Sequence, residues 1–188
     1  MVIPSAQTGG NEKRSEGLDG AMLKPMKTIF ERVCTPDELD MVEHYRTPAE
    51  KTADLVVHVV GLTLAAVGGI VLAVLAALYS GIGAVAATAA YALCLIAMLT
   101  ASTVYNQTRP CAARPILRRM DEAAIFLMIA GSYTPFTTQR FEGAWSVGFT
   151  LLVWAIALAG VFAKLVAPRL SDAFWSGVYV LFGWLAVI

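Results

Sequence analysis

The sequence predicts an all-α fold, a polytopic transmembrane helix bundle with about five spans and a cytoplasmic N-terminus. Three observations lead there. The 188-residue chain is 57% hydrophobic and only 15% charged, too little polar surface to keep a soluble domain of that size dispersed. Between Leu55 and Ile188 the charges fall in short islands, separated by apolar runs long enough to cross a bilayer. The cations are also one-sided. Seven Lys and Arg precede the first span, four lie between spans two and three, and Lys164 and Arg169 lie between four and five; the opposite side carries only Arg140. Cytoplasmic loops collect Lys and Arg, so the expected location is the plasma (inner) membrane, multi-pass, with the lipid bilayer as partner. A formal net charge of zero gives no reason to expect a nucleic acid partner, and the sequence leaves the oligomeric state open.

Taken in order, residues 1–24 lack the apolar content to offset ordering entropy and read as a disordered tail. Residues 25–47 read as short cytoplasmic or interfacial helices. Met26, Ile29, Phe30 and Val33 form a brief amphipathic stripe, and Thr35-Pro36-Asp37-Glu38 has the form of a helix cap. The bundle occupies 48–188. It opens at Thr47-Pro48-Ala49-Glu50, where threonine as N-cap, proline at the first helical position and glutamate three residues on make a capping box. The spans are expected near 54–79, 84–105, 121–139, 145–166 and 172–188. Ser80-Gly81-Ile82-Gly83 supplies the first turn, and a basic loop from Arg109 to Arg119, with Pro110 and Pro115, separates the second and third spans. The last span stops at Ile188 without a polar tail, which reads as a fragment of a longer helical protein.

Small residues mark expected helix contacts: Gly61, Ala65 and Gly69 on the first span, Ala86, Ala90 and Cys94 on the second. Cys34, Cys94 and Cys111 are too few and too scattered for a disulfide framework or a Cys-x-x-Cys metal site.

An ionisable group inside a span is costly and points to function by default. The candidates are Asp54 and His58 in the first span, and Asp121 and Glu122 opening the third. Ser102 and Asn106 add neutral polar groups one turn apart near the end of the second. All fall at the expected cytoplasmic ends of their helices, so three helices converge polar side chains at one depth. Each could also simply cap, snorkel or face water. Glu50, Asp54 and His58 recur every four residues on one face, and a carboxylate-oriented buried histidine is the plain reading of that spacing. His44 lies outside the spans, so the chain cannot build a histidine-rich zinc centre by itself.

These residues carry a resemblance. Glu50-x-x-x-Asp54-x-x-x-His58-x-x-Gly61, Ser102-Thr103-Val104-Tyr105-Asn106, Leu117-Arg118-Arg119-Met120-Asp121 and Ile129-Ala130-Gly131-Ser132-Tyr133-Thr134-Pro135 resemble successive motifs of the bacterial haemolysin III family, which is related to the progestin and adipoQ receptors. Gly183-Trp184 resembles the family's fifth helix. The resemblance covers roughly residues 48–188. It implies seven helices with the N-terminus inside, of which this chain would hold five, truncated after the fifth. The related receptors hold a zinc ion near the cytoplasmic side, with one histidine from helix two and two from helix seven. By that resemblance Ser102 and Asp121 occupy the serine and aspartate positions of the site and are its candidate catalytic residues. Asn106 stands where the helix-two histidine ligand is expected, a poor exchange for zinc, and Glu122 stands where bacterial members often place histidine. Zinc is thus an expectation for a full-length member rather than for this chain. Three functions stay open: a pore-forming, cytolytic membrane protein as the family name implies; a zinc-dependent lipid amide hydrolase with an impaired or incomplete metal site; and a receptor-like protein without catalysis. The spans show no ring of like charges and no polar stripe along a full helix of the kind a channel needs.

Overall fold

The structure, a computed structural model, describes residue 45 and residues 47–166 and 170–187. The readings for 1–24 and nearly all of 25–47 lie outside the described residues. Among those described there are five α-helices: α1 (Pro48–Tyr79), α2 (Ile82–Gln107), α3 (Arg114–Arg140), α4 (Gly143–Val166) and α5 (Asp172–Gly183). A 3₁₀ turn, Trp184–Val187, follows.

α1 begins as its capping residues dictate. The Thr47 hydroxyl accepts a hydrogen bond from the Glu50 amide at 3.2 Å, with Pro48 in the first turn. The helix is 32 residues long, roughly 48 Å at the α-helical rise, so it outruns a hydrocarbon layer of about 30 Å. Ala65 is its one buried residue, while Val57, Leu64, Ile70 and Leu78 lie exposed. Such a surface is unsuited to water and suited to lipid. Ser80 caps α1, and Gly81 turns the chain at φ +83°, a backbone conformation that costs glycine little.

The small residues act as their spacing suggests. A Cβ at Gly69 would sit 2.7 Å from the Ala92 Cβ, and one at Gly131 would sit 2.7 Å from the Cys94 Cβ. The first close approach joins α1 to α2 and the second joins α2 to α3. Gly131→Ala is therefore expected to destabilise the bundle by about 1–3 kcal/mol through overpacking, read as a lower unfolding midpoint in detergent. An unchanged midpoint would show that α2 and α3 are not packed this closely.

α3 is the central element, packed against α2 on one side and α4 on the other, with α5 also touching it. Phe126, Ala130 and Tyr133 of α3, Val153 and Ala157 of α4, and Trp175 and Phe182 of α5 form the core. Polar fasteners reinforce the α3–α4 seam. Trp154 Nε1 donates to Thr134 Oγ1 at 3.0 Å, and the Thr137 and Thr150 hydroxyls meet at 2.6 Å. Such bonds are worth keeping where no water competes.

α1, α2 and α4 are long and apolar enough to cross a membrane. α3 is long as well, but its first turns carry Arg114, Arg118, Arg119, Asp121 and Glu122. α5 is a 12-residue helix within the stretch 172–188 where the fifth span is expected. The α-helix ends at Gly183, whose carbonyl accepts the Tyr133 hydroxyl at 2.7 Å, and the chain tightens to 3₁₀ geometry beyond it.

Candidate functional site at the basic end

Helices α1, α2 and α3 each bring one turn to the same place, at the end of the bundle that carries the α2–α3 connection; the expected Arg109–Arg119 loop is shorter than read, since α3 already begins at Arg114. On α1, His58 follows Asp54 by one helical turn, and its Nδ1 lies 2.9 Å from the Asp54 carbonyl oxygen and 3.3 Å from Asp54 Oδ2. His58 Nε2 reaches across to Ser102 Oγ on α2 at 3.3 Å. The Asp121 carboxylate on α3 lies near enough to Ser102 to feel its hydroxyl. Asp54, His58 and Ser102 make a hydrogen-bonded chain over two helices, and Asp121 brings a carboxylate beside it from the third. The His58 side chain is only 12% exposed, so little water competes for these bonds.

The Asp54 end is held from two further directions. Gln107 Nε2 donates to Asp54 Oδ2 at 3.2 Å, and Lys51 Nζ donates to the Gln107 carbonyl at 3.4 Å, tying the start of α1 to the end of α2. Tyr45, ahead of α1, turns its phenol to Asp54. Burial, and then the hydrogen bond and negative charge of Asp54, push that phenol well above its ordinary range. It therefore stays protonated. Glu50, on the same face of α1, remains at the surface.

The structure separates Glu122 from the group in which the sequence places it. Consecutive helical residues point about 100° apart, so when Asp121 faces α2 its neighbour faces α4 and α5. Glu122 pairs there with Lys164 of α4 and, at 2.9 Å, with Arg118 Nε. Lys164 is 9% exposed and sits 4.6 Å above the Trp175 ring, and the Tyr179 hydroxyl of α5 donates to the Glu122 carbonyl at 2.8 Å. Arg118 also reaches Asp172 at 3.3 Å. This second cluster is a lock between α3, α4 and α5. Asn106, one turn beyond Ser102, is half-buried and makes no side-chain hydrogen bond among the described residues.

Sequence reasoning missed Gln107 and Lys164. Gln107 directly follows Asn106 but closes α2 rather than lining its Ser102 stripe. Lys164 was counted only for topology, although a cation in the last turn of an otherwise apolar helix is itself a signal for a buried partner.

The donor set does not suit a zinc ion. Among the described residues no group of three His, Cys, Asp or Glu side chains could hold a metal. Both nitrogens of His58 are engaged by Asp54 and Ser102, and Asn106 offers an amide where zinc prefers imidazole or thiolate.

Fold and site together define a multi-pass helical membrane protein with a hydrogen-bonded polar site at one end of its bundle. A family model described as Haemolysin-III related matches residues 47–188, and the chain belongs to that family. It is 29% identical over 144 residues to the Hemolysin-3 homolog of Bacillus subtilis (strain 168), covering 76% of this chain and 67% of that protein. To Hemolysin-3 of Bacillus cereus it is 28% identical over 141 residues, covering 74% and 64% respectively. The chain thus spans about two thirds of the length of these curated relatives. No solved structure matches it.

Proposed function

We propose that the chain works through an acid–base site at the cytoplasmic side of the plasma membrane, cleaving an amide or ester bond of a lipid at the depth of its headgroup. The observation that carries this reading is the Asp54–His58–Ser102 hydrogen-bonded chain with the Asp121 carboxylate beside Ser102. Polar side chains converging from three helices of a membrane bundle are costly unless they are used, and these bring a carboxyl group, an imidazole and a hydroxyl together. Asp121 takes the proton of an attacking water, and His58, oriented by Asp54, acts with it through Ser102. The thirteen-to-one distribution of Lys and Arg supports a cytoplasmic position for the site. No step is routed through zinc. Purified protein is expected to hold far less than one zinc per chain, and a stoichiometric ion lost on Asp121→Ala would overturn that expectation. The hydrolytic reading is tested by incubating the full chain in detergent with fluorescent amide- and ester-linked lipids. Released fatty acid that scales with protein supports it, and no release above buffer sinks it.

A second reading, cytolysis, comes from the printed names of the two Bacillus relatives. The lipid-suited faces of α1, α2 and α4 fit insertion into a target bilayer. Among the described residues no helix offers a polar stripe along its length, so lysis would need several copies around a shared pore. Dye release from liposomes, undiminished by Asp121→Asn, would favour this reading over the first.

A further inference from the structure

Helix α2 grips the Asp54–His58 pair of α1 at both ends. Ser102 meets His58 Nε2 at 3.3 Å, and further along the same helix Gln107 Nε2 donates to Asp54 Oδ2 at 3.2 Å. Oδ2 is also the carboxylate oxygen that stands 3.3 Å from His58 Nδ1. One oxygen of α1 is thus placed by the amide of α2 and faces the imidazole. A single cross-contact lets a helix turn about it. Two contacts a turn apart fix rotation and slide together, which is how a supporting residue holds a reactive one in place.

Gln107 is itself held from two sides. It is the last residue of α2, and Thr108 after it is extended, with φ −77° and ψ 130°. The final carbonyls of a helix have no donor within it. Lys51 Nζ supplies one to the Gln107 carbonyl at 3.4 Å, placing its cation at the negative end of the α2 dipole. Lys51 and Asp54 lie one turn apart on α1, so Lys51, Gln107 and Asp54 form a closed loop between the two helices. Lys51 and Gln107 are half-buried, and the Asp54 side chain is 24% exposed, so water competes only in part. The loop is not needed to join the helices. A Cβ at Gly61 would lie 3.6 Å from Leu99 Cδ1, and one at Gly69 would lie 2.7 Å from the Ala92 Cβ, so α1 and α2 are already in close contact further along. What the loop adds is the setting of Asp54 against His58.

We infer that Gln107 is a positioning residue of the polar site, acting through Asp54 on His58, and that Lys51 positions Gln107 in turn. Neither touches the reacting atoms. The consequence for turnover rests on the hydrolytic reading above; the consequence for His58 does not.

The test reads both in the full chain in nanodiscs. The chain has two histidines, so a His44→Gln background leaves His58 as the single imidazole in nitrogen NMR, where its Nδ1 resonance reports the groups beside it. Gln107→Met keeps length and the backbone carbonyl but removes the donor. It is expected to move the Nδ1 resonance and to lower kcat for lipid cleavage by roughly 10- to 100-fold with KM unchanged, the scale of a misplaced reactive group. Lys51→Met is expected to act in the same direction and Lys51→Arg to keep the parent behaviour; this pair carries the test if Gln107→Met does not fold. Combining Gln107→Glu with Asp54→Asn reverses donor and acceptor. The clasp closes again and the unfolding midpoint recovers, but no carboxylate stands beside Nδ1, so turnover stays low. An unmoved Nδ1 resonance in Gln107→Met overturns the inference. So does a reversed pair that restores turnover along with the midpoint, since Gln107 is then only a clasp, and so does a raised KM at unchanged kcat. A resonance that moves in a protein whose parent form cleaves no lipid supports the positioning and sinks the hydrolytic reading.

Discussion

Asp121→Asn is expected to lower lipid hydrolysis by about 100-fold or more, the ordinary scale for losing a positioned general acid or base, while leaving the unfolding midpoint unchanged. The substitution keeps shape and hydrogen-bonding capacity, so the contact to Ser102 survives and α2 and α3 stay in register. What disappears is the only carboxyl group at the α3 end of the relay. Turnover in detergent and thermal unfolding of the same preparation decide the matter together. Loss of both would make Asp121 a structural residue. Full turnover with an intact fold would remove it from the chemistry. His58→Gln should fall in the same class, whereas Asn106→Ala should not, since Asn106 makes no side-chain hydrogen bond among the described residues.

Much of this was legible beforehand, for reasons tied to particular residues. The start of α1 was readable because a capping box is a local code: Thr47, Pro48 and Glu50 act on one turn of backbone. The first turn was readable because Gly81 adopts a conformation other residues avoid. Asp54 and His58 were readable as a pair because four residues make one helical turn, and Ser102 was placed at their depth by counting along α2 and fixing orientation from charge. The rotation of each helix about its own axis is set by packing and is hard to read from one sequence. Asp121 and Glu122 are adjacent in the chain, equal in charge and alike in expected depth, yet they serve different clusters because α3 lies between two neighbours. The same limit hid Lys164, whose partner is 42 positions away and faces it only when α3 and α4 are docked. The tightening after Gly183 was not readable in advance, because it accompanies a hydrogen bond from Tyr133, 50 residues earlier.

Glu122→Ala should do the reverse of Asp121→Asn, costing about 3 kcal/mol of stability with little direct effect on the relay. Removing Glu122 leaves the Lys164 ammonium, 9% exposed, without its carboxylate. The Trp175 face at 4.6 Å returns roughly 1–2 kcal/mol at most, less than the cost of a buried unpaired charge. Arg118 suffers less, because Asp172 remains within 3.3 Å. The asymmetry of the pair makes the prediction sharper. Lys164→Met should cost less than Glu122→Ala, since Glu122 keeps Arg118 at 2.9 Å and sits partly in water, whereas Lys164 pairs with no second carboxylate among the described residues. Combining Glu122→Gln with Lys164→Met should recover most of the loss, because a well-filled neutral pair often replaces a buried ion pair at little cost. Unfolding midpoints of the parent, Glu122→Gln, Lys164→Met and the double variant in one detergent measure all four corners, with Glu122→Ala measured alongside. If Glu122→Ala unfolds with the parent, Lys164 is not buried against it and the lock joining α3, α4 and α5 does not exist. If the double variant is no better than Glu122→Ala, the cluster stabilises by hydrogen-bond geometry rather than by cancelling charge.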